Sequence, residues 1–415
     1  MADQSSADDR LDGWSNLLSG YGTSRDPGEA TAPKLESSLT QYTLEAIYRS
    51  DGIGRRIIDI PAEDMTREWV NIEGDNGSDV ASAMRSIRAR ESVEKGLRWA
   101  GLYGGSGLLM GVDDGRNLEQ PVAPMTRGIR FLRVYDRHQI HWTTADLYSD
   151  PREERYGLPE TVRITPSSGM PFTVHESRML WFDGEDVPER VRKQNSGWGD
   201  SRLQTVYRAM SRYAEAMGGT SSIIRDFITP VLKLNGLGDL IAAGREDEVK
   251  KRLEILGLSQ AMLNVRLIDG EQEDYQKHAS SVSGISDLLG ELKHNLSSVS
   301  GVPQSKLFGR APQGMNATGE SDTREWYDRI SSEQESKVVP AVERMVQIID
   351  GGQSPDDRRV VCNPLWQPTA REQAETVKTV MEAMAAGVDR ALITPEAASE
   401  TLEGYGVKTG YEDGL

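Results

Sequence analysis

The sequence predicts an α+β chain in which a strand-bearing first half precedes a second half organised by long helices. Three observations carry that reading. Between 128 and 183 the apolar residues gather in short β-rich runs, at 129–135, 140–143, 161–164 and 178–182, separated by Gly, Pro and Ser turns and without the regular βα alternation of a doubly wound sheet. Beyond Ser201 the apolar residues recur at helical spacing over several long stretches. Finally, of 415 residues 37% are apolar and 6% aromatic, less than the roughly 45–50% apolar share of a typical domain, although that share includes Gly. A chain so composed keeps much of its surface wet or covers it with other subunits.

Taken in order, residues 1–34 are rich in Ser, Asp, Gly and Thr with few large apolar side chains, the composition of a flexible arm. A helical pattern follows at 42–60, and the stretch 59–65 around Pro61 is expected to turn the chain. A second helix is expected over 80–102, ending at Tyr103-Gly104-Gly105-Ser106-Gly107, with a buried strand at 108–112. After the β-rich region, Leu203, Val206, Tyr207, Met210, Tyr213, Ala214 and Met217 form one stripe, interrupted by Gly218-Gly219-Thr220-Ser221-Ser222. Gly218, Gly219 and Ser222 are small enough to let another backbone approach. A β-like 230–234, a charged helix at 245–256 and a β-like 262–268 make a βαβ-like insert between two long helices.

The second of these helices places Ile285, Leu288, Leu289, Leu292, Leu296 and Val299 on a narrow apolar stripe. A third begins near Thr318 and carries Trp326, Tyr327, Ile330, Val338, Val342, Met345, Val346 and Ile349; Pro340, which has no donor for the Ser336 carbonyl, is expected to kink it. The tail is helical from Thr369, with a fresh start at Thr394-Pro395-Glu396.

Charge and cysteine content narrow the function classes. The chain has 48 Lys and Arg against 65 Asp and Glu, a formal charge of −17, which excludes a basic protein that coats nucleic acid. Cys362 is the single cysteine, so no internal disulfide and no cysteine-based zinc site exists; a packed, inert thiol is expected. There is no basic-then-apolar leader pattern, and no apolar run approaches the ~18 residues of a membrane span; a soluble chain made in the cytoplasm is expected.

Each candidate catalytic feature has a plainer reading. Gly104-Gly105-Ser106-Gly107 stands in the order helix, glycines, strand, with no Lys following, the reverse of a phosphate loop, so a helix cap is expected. His138 and His141 lie close together, but in a strand residues three apart face opposite sides and the imidazoles would diverge. His175 stands beside Glu176 alone. The acidic group Asp51, Asp59, Glu63 and Asp64 has Arg55, Arg56 and Arg67 within the same stretch to compensate it and reads as caps and solvated charge rather than a Mg²⁺ site. No catalytic residue, cofactor site or metal site is assigned.

The most specific stretch lies in the second half. Ser297-Ser298-Val299-Ser300-Gly301-Val302-Pro303-Gln304-Ser305-Lys306-Leu307-Phe308-Gly309 leads through Pro312-Gln313-Gly314-Met315-Asn316-Ala317-Thr318-Gly319-Glu320 into the proline-bearing helix. It resembles the signature of portal proteins of tailed bacteriophages, and the order of parts from about Leu35 to the end is similar to a portal subunit. The resemblance implies an elongated subunit: an arm at 1–34, an α+β wing at 35–199, a stem helix at 200–227, a βαβ clip at 228–280, a returning stem helix at 281–302, a tunnel loop and kinked helix at 303–350, and a helical crown at 351–415. It also implies a homo-oligomeric ring, usually a dodecamer, at one capsid vertex of the virion, through which double-stranded DNA passes without sequence specificity. The implied partners are the major capsid protein, the terminase large subunit and a head-completion adaptor, with no membrane. Within it, Arg310, Gln313, Gly314, Met315 and Asn316 would line the channel, Pro340 would kink the helix, Arg245, Lys250, Lys251 and Arg252 would meet clip partners, and Gly218, Gly219 and Ser222 would pack stems side by side.

An acidic lining suits such a conduit, because many Lys and Arg contacts would hold the duplex fast. Two other classes compete: a phosphodiesterase or nuclease acting on nucleotides, which needs paired His-x-Thr/Ser motifs converging on one cleft and for which His141-Trp142-Thr143 is the motif read from the chain, and a generic helical scaffold or adaptor, which would lack the 301–320 stretch.

Overall fold

The computed structural model describes residues 38–74, 76–227, 231–234, 237–245, 247, 250–251, 266–269, 284–309, 320–351, 358–366, 370–390 and 393–404. The elements all belong to one unit, Gln41–Leu415. The chain enters through α1 (Gln41–Ser50) and α2 (Gly52–Arg67), separated by Asp51. The extended backbone of Asp51 lets its Oδ1 accept the Ile53 and Gly54 amides at 2.7 and 3.0 Å, capping α2. The expected turn at Pro61 does not occur: α2 runs through it. One hydrogen bond is lost there, a cost of ~3 kcal/mol or more in an isolated helix. It is offset by burial of the face formed by Ile57, Ile58, Pro61, Ala62 and Met65.

The expected single helix over 80–102 is two, α3 (Gly77–Ser86) and α4 (Ala89–Tyr103), broken where Arg88 takes a left-handed conformation at φ 53°. Gly104, at φ 89°, ends α4 by returning its amide to Ala100 at 2.8 Å, and the chain turns at once into β2 (Gly105–Gly111), whose every residue is buried. The glycines are thus a cap and a buried strand. Gly105 has the Trp198 ring where a Cβ would stand, and Gly107 has Met179 and Ile140.

β2 is the middle strand of an antiparallel sheet in the order β3-β2-β7, with β3 (Phe131–Asp136) and β7 (Met179–Asp183). A second antiparallel sheet has the order β4-β5-β6, from β4 (Ile140–His141), β5 (Thr161–Ile164) and β6 (Phe172–His175). Leu109, Tyr135, Ile140, Val162, Ile164, Val174, Met179 and Trp198 fill one shared core between them. β6 and β1 (Val70–Glu73) are absent from the sequence reading. β1 pairs with β10 (Arg359–Cys362), Val70 opposite Cys362.

After α5 (Glu189–Gln194), α6 (Arg202–Phe227) continues through Gly218 and Gly219, where an interruption was expected. Two glycines cost a helix ~1 kcal/mol each relative to alanine, which the length of α6 absorbs. In the insert, β8 (Val231–Leu234) and β9 (Arg266–Asp269) pair in parallel, with α7 (Leu237–Ala242) between them in sequence. Parallel neighbours need a crossover connection, so the βαβ reading of the insert fits this pairing. Of the charged helix expected at 245–256, Arg252 lies outside the described residues.

The chain returns along α6 as α8 (Ile285–Ser300), ends it at Gly301 in the left-handed region (φ 66°), and forms the short α9 (Gln304–Phe308). α10 (Glu320–Glu333) and α11 (Val339–Ile349) are joined by a wider π-type turn at Gln334–Val338, in which the Val339 amide reaches the Gln334 carbonyl five residues back. The irregular turn lies immediately before Pro340, where the regular bond pattern has to fail. α12 (Ala370–Asp389) and α13 (Pro395–Gly404) complete the chain, the Thr394 hydroxyl accepting the Ala397 amide at 3.4 Å.

Candidate functional site

The described part of the 297–320 stretch meets one joint at the C-terminal end of α2. Asp64, 7% exposed, accepts the Trp326 indole N–H at 2.7 Å and the Lys306 ammonium at 2.6 Å, with Arg67 3.7 Å away. Arg67 stacks over the Tyr327 ring at 5.0 Å and donates to the Tyr327 hydroxyl and the Leu365 carbonyl. Gln334, in the π turn, donates to the Met65 carbonyl at 2.7 Å, and Asn363 to that of Glu68 at 2.8 Å. Val302 and Leu307 are each 1% exposed. One helix end therefore gathers α9, α10, the π turn and the segment after β10. A second link lies nearby: Arg202, at the start of α6, joins Glu185 at 2.7 Å and Glu333 at 2.5 Å. Burial pushes the Glu333 carboxyl up, but Arg202, Lys337 and Arg329 hold it below its ordinary range.

The acidic group read from sequence divides among structural roles. Asp51 caps α2, Asp59 pairs with Arg55 and Arg98 at 3.1 and 2.9 Å, Glu63 meets Arg98 at 3.4 Å, and Asp64 makes the joint just described. Among the described residues no group of three or more His, Cys, Asp or Glu is placed to hold a metal ion. Cys362 is free and half-buried, its thiol pushed up by burial and by the charge of Glu335.

The paired helices α6 and α8 are buried unevenly. Leu203, Val206 and Met210 near the start of α6 are buried, and Leu296 is the one buried residue of α8. Leu288 is 58% exposed, Met217 44% and Val299 43%. A Cβ placed on Gly218 or Gly219 would meet nothing within 4 Å. Ser222 lies in α6, but its side chain is outside the described residues. In the insert, Arg245 and Lys251 are exposed and Lys250 is 3.9 Å from Asp247. Arg310, Gln313, Gly314, Met315 and Asn316 lie outside the described residues.

The histidines are arranged differently from the sequence expectation. His138 is not in a strand: it sits in the single helical turn Arg137–Gln139, edge-on to Tyr103 at a ring separation of 5.5 Å. Burial first, then the charge of Arg137, pushes its imidazole down to about 4. His138 and His141 both line one cleft of about 1060 Å³ between β4, the segment 142–159, α5 and the turn 194–198. The sequence also carries His175-Glu176-Ser177 and His278-Ala279-Ser280, which corrects the expectation of a single His-x-Thr/Ser motif; His278 lies outside the described residues. The motif at His175 does not join that at His141. His175 Nδ1 accepts the Ser177 amide at 3.1 Å, the Ser177 hydroxyl accepts the Val122 amide at 3.0 Å, and His175 is 7% exposed beneath the 112–128 loop. Arg178 locks that loop down through Asp114 at 2.7 Å, a pair that is 0% and 1% exposed. His175 is not among the residues lining the cleft of His141. The geometry supplies one open imidazole and one closed one, not a converging pair.

The sequence profile of the phage portal protein family matches residues 42–386. The chain belongs to that family. Among curated relatives, this portal-family chain is 30% identical over 427 residues to an anti-CBASS protein Acb1 of Caulobacter sp. (strain RHG1), covering 97% of this chain and 67% of the relative. It is 27% identical to an uncharacterised protein of Haemophilus influenzae, covering 89% and 84%. A Sphingomonas paeninsulae protein, also called anti-CBASS protein Acb1, is 26% identical; the chain spans 66% of its length. Among solved structures, the fold is similar to a chain in the neck of a native gene transfer agent particle solved with C12 symmetry, at a TM-score of 0.55 and 13% identity over 90% of this chain and 96% of that one. A chain from the neck of the empty particle gives 0.54 and 11%, over 87% and 93%. The portal family and the virion-particle fold thus agree on a portal-type subunit.

Proposed function

We propose that this protein forms a closed homo-oligomeric ring, a dodecamer, at one vertex of a phage-type capsid in the virion, and that double-stranded DNA is packaged and ejected through it. The observation that carries the reading is the family match over 42–386, and the uncovered apolar residues of α6 and α8 support it. A narrow stripe left bare in the subunit is what a rotationally repeated, head-to-tail contact would cover. The net charge of −17 leaves few sticky points for a sliding duplex. Stems correspond to 200–227 and 281–302, the clip to 228–280, and the channel loop to Arg310–Asn316. The clip meets the terminase large subunit before filling and a head-completion adaptor afterwards, and the wing meets the major capsid protein. The subunit is made in the host cytoplasm. The reading assigns it no catalytic role: His175, which a hydrolase would bring to the cleft of His141, is spent on its own turn.

Native mass spectrometry and negative-stain imaging test the ring. The expected species is a multiple of the 45.9 kDa subunit with a central hole. Monomer or dimer alone at micromolar concentration, even with capsid protein added, would overturn the proposal. Reversing Lys250, Lys251 and Arg252 to Glu should leave the ring intact and abolish motor docking, and Arg310→Ala should alter DNA translocation.

A further inference from the structure

We infer that neighbouring copies of this chain lock through their two-sheet regions: the β5–β6 hairpin tip of one copy, which carries Met170, seats in the cleft beside β4 of the next. This deepens the ring reading and rests on it, but it stands on residues outside the helix pair.

The cleft is built to take an uncharged, apolar group. Trp142 and Trp198, ring centres 5.3 Å apart, line it together with Leu147, Tyr156 and Leu158. Gly197, at φ 91°, comes so close that a Cβ would stand 2.8 Å from the Trp142 ring, so this wall is set before anything covers it. Tyr156 and Leu158 are each 56% exposed. The lining charges cancel. Lys193 and Glu189, both exposed, stand one turn apart on α5; Arg192 is held by Asp183 and Asp186 at 3.2 and 3.0 Å, and Arg137 donates to the Gly199 carbonyl at 3.0 Å. An occupant therefore gains from apolar burial and little from a charge of either sign. The volume of about 1060 Å³ lies at the upper limit of the roughly 300–1,000 Å³ of small-molecule sites and has room for a hairpin tip.

The same chain presents such a group. Met170 is 86% exposed, more than any other large apolar side chain among the described residues. It stands in Thr165-Pro166-Ser167-Ser168-Gly169-Met170-Pro171, a connection without a charge. The base of this tip is fixed, the Thr165 amide donating to the Gln139 carbonyl at 2.8 Å and the Gln139 side-chain amide to the Ser167 hydroxyl at 3.0 Å. The next most exposed, Tyr42 at 82% and Met125 at 68%, fit less well: Tyr42 lies on α1 and carries a hydroxyl, and the loop of Met125 bears Asp113, Arg116, Glu119 and Arg127. A thioether adapts to an irregular aromatic wall and is attracted to it. Topology supplies the direction. Ile164 pairs with both Ile140 and Phe172, so 165–171 leaves the sheet at one end, while 142–160, which carries Tyr156 and Leu158, leaves it at the other. No residue of 165–171 lines the cleft of its own copy. A knob and a hole at opposite ends of one sheet repeat head to tail, the kind of contact that a rotation closes into a ring.

The test uses the full-length protein in a Cys362→Ser background, with native mass spectrometry to report the ring and a denaturing gel to report cross-links made by a short bis-maleimide. Met170→Cys combined with Leu158→Cys should give a ladder of covalent multimers, whereas a mixed ring of the two single variants should stop at covalent dimers. Tyr42→Cys with Leu158→Cys, at a comparably exposed position, should give none. Met170→Asp should raise the protein concentration for half-assembly about tenfold and leave the urea midpoint of the subunit unchanged. Four results would overturn this contact and leave the ring reading standing: an intact ring without the 170–158 cross-link, a cross-link confined to single subunits, equal cross-linking from Tyr42→Cys, or unchanged assembly by Met170→Asp. Monomer alone would overturn both.

Discussion

The two-sheet region and the long helix pair satisfy burial in different ways. In the two-sheet region every residue of β2 is buried, Phe182 is 1% exposed, and even the charges inside it, Arg178 with Asp114, have partners. In α8 a single leucine is buried, while Leu288, on the same stripe, is more than half exposed. In both, the sequence marks an apolar set to be covered, a continuous run at 108–110 and a stripe in α8. An apolar stripe therefore states that something must cover it without stating whether the cover comes from the same chain.

The sharpest break of that contrast is in the two-sheet region. Phe182→Ala should cost about 3–5 kcal/mol in urea unfolding of the subunit, since a large ring would leave a cavity against Gly96. Asp64→Ala should cost about 2–4 kcal/mol, because it strands the Lys306 ammonium and the Trp326 N–H in a half-buried joint. A two-residue comparison within α8 sharpens the contrast further. Leu296→Ala should destabilise the subunit by about 2–4 kcal/mol, whereas Leu288→Ala should change it by less than ~0.5 kcal/mol yet weaken assembly measured by native mass spectrometry. Gly219→Leu should stabilise the subunit by about 1 kcal/mol through helix propensity and still impair assembly; a variant that assembles normally would remove α6 from the subunit contact.

The smallest effect is on pH dependence. With His138 pushed down to about 4 from an ordinary value of 6.5, the unfolded chain binds more protons than the folded one between those values. Stability is full above pH 6.5 and is lost progressively as pH falls toward 4. Thermal unfolding from pH 7 to 5 should show a lower melting temperature at the acid end, and His138→Phe, which keeps the edge contact with Tyr103, should flatten that slope.

Much of the local structure was legible because its causes lie within a turn or two of chain. The stripes of α6 and α8, the Gly104 cap, the Thr394 start of α13 and strand β5 all follow from spacing and capping residues. The break at Arg88 and the passage of α2 through Pro61 were not legible, because burial against distant elements outweighs the local preference there. The cleft was half legible: His138 and His141 stood out, but Trp198, which lines it with Trp142, comes from a position far along the chain.

By itself, then, the sequence determined the kinds of element, their order, the acidic balance and the signature stretch at 301–320. Only the tertiary structure decided that Val70 pairs with Cys362, that Lys306 answers Asp64, and that His175 turns away from the cleft of His141. Periodicity and capping are properties of neighbours along the chain. A strand's partner or a buried charge's counterion is chosen from everything the folded chain brings near, and no local window contains that choice.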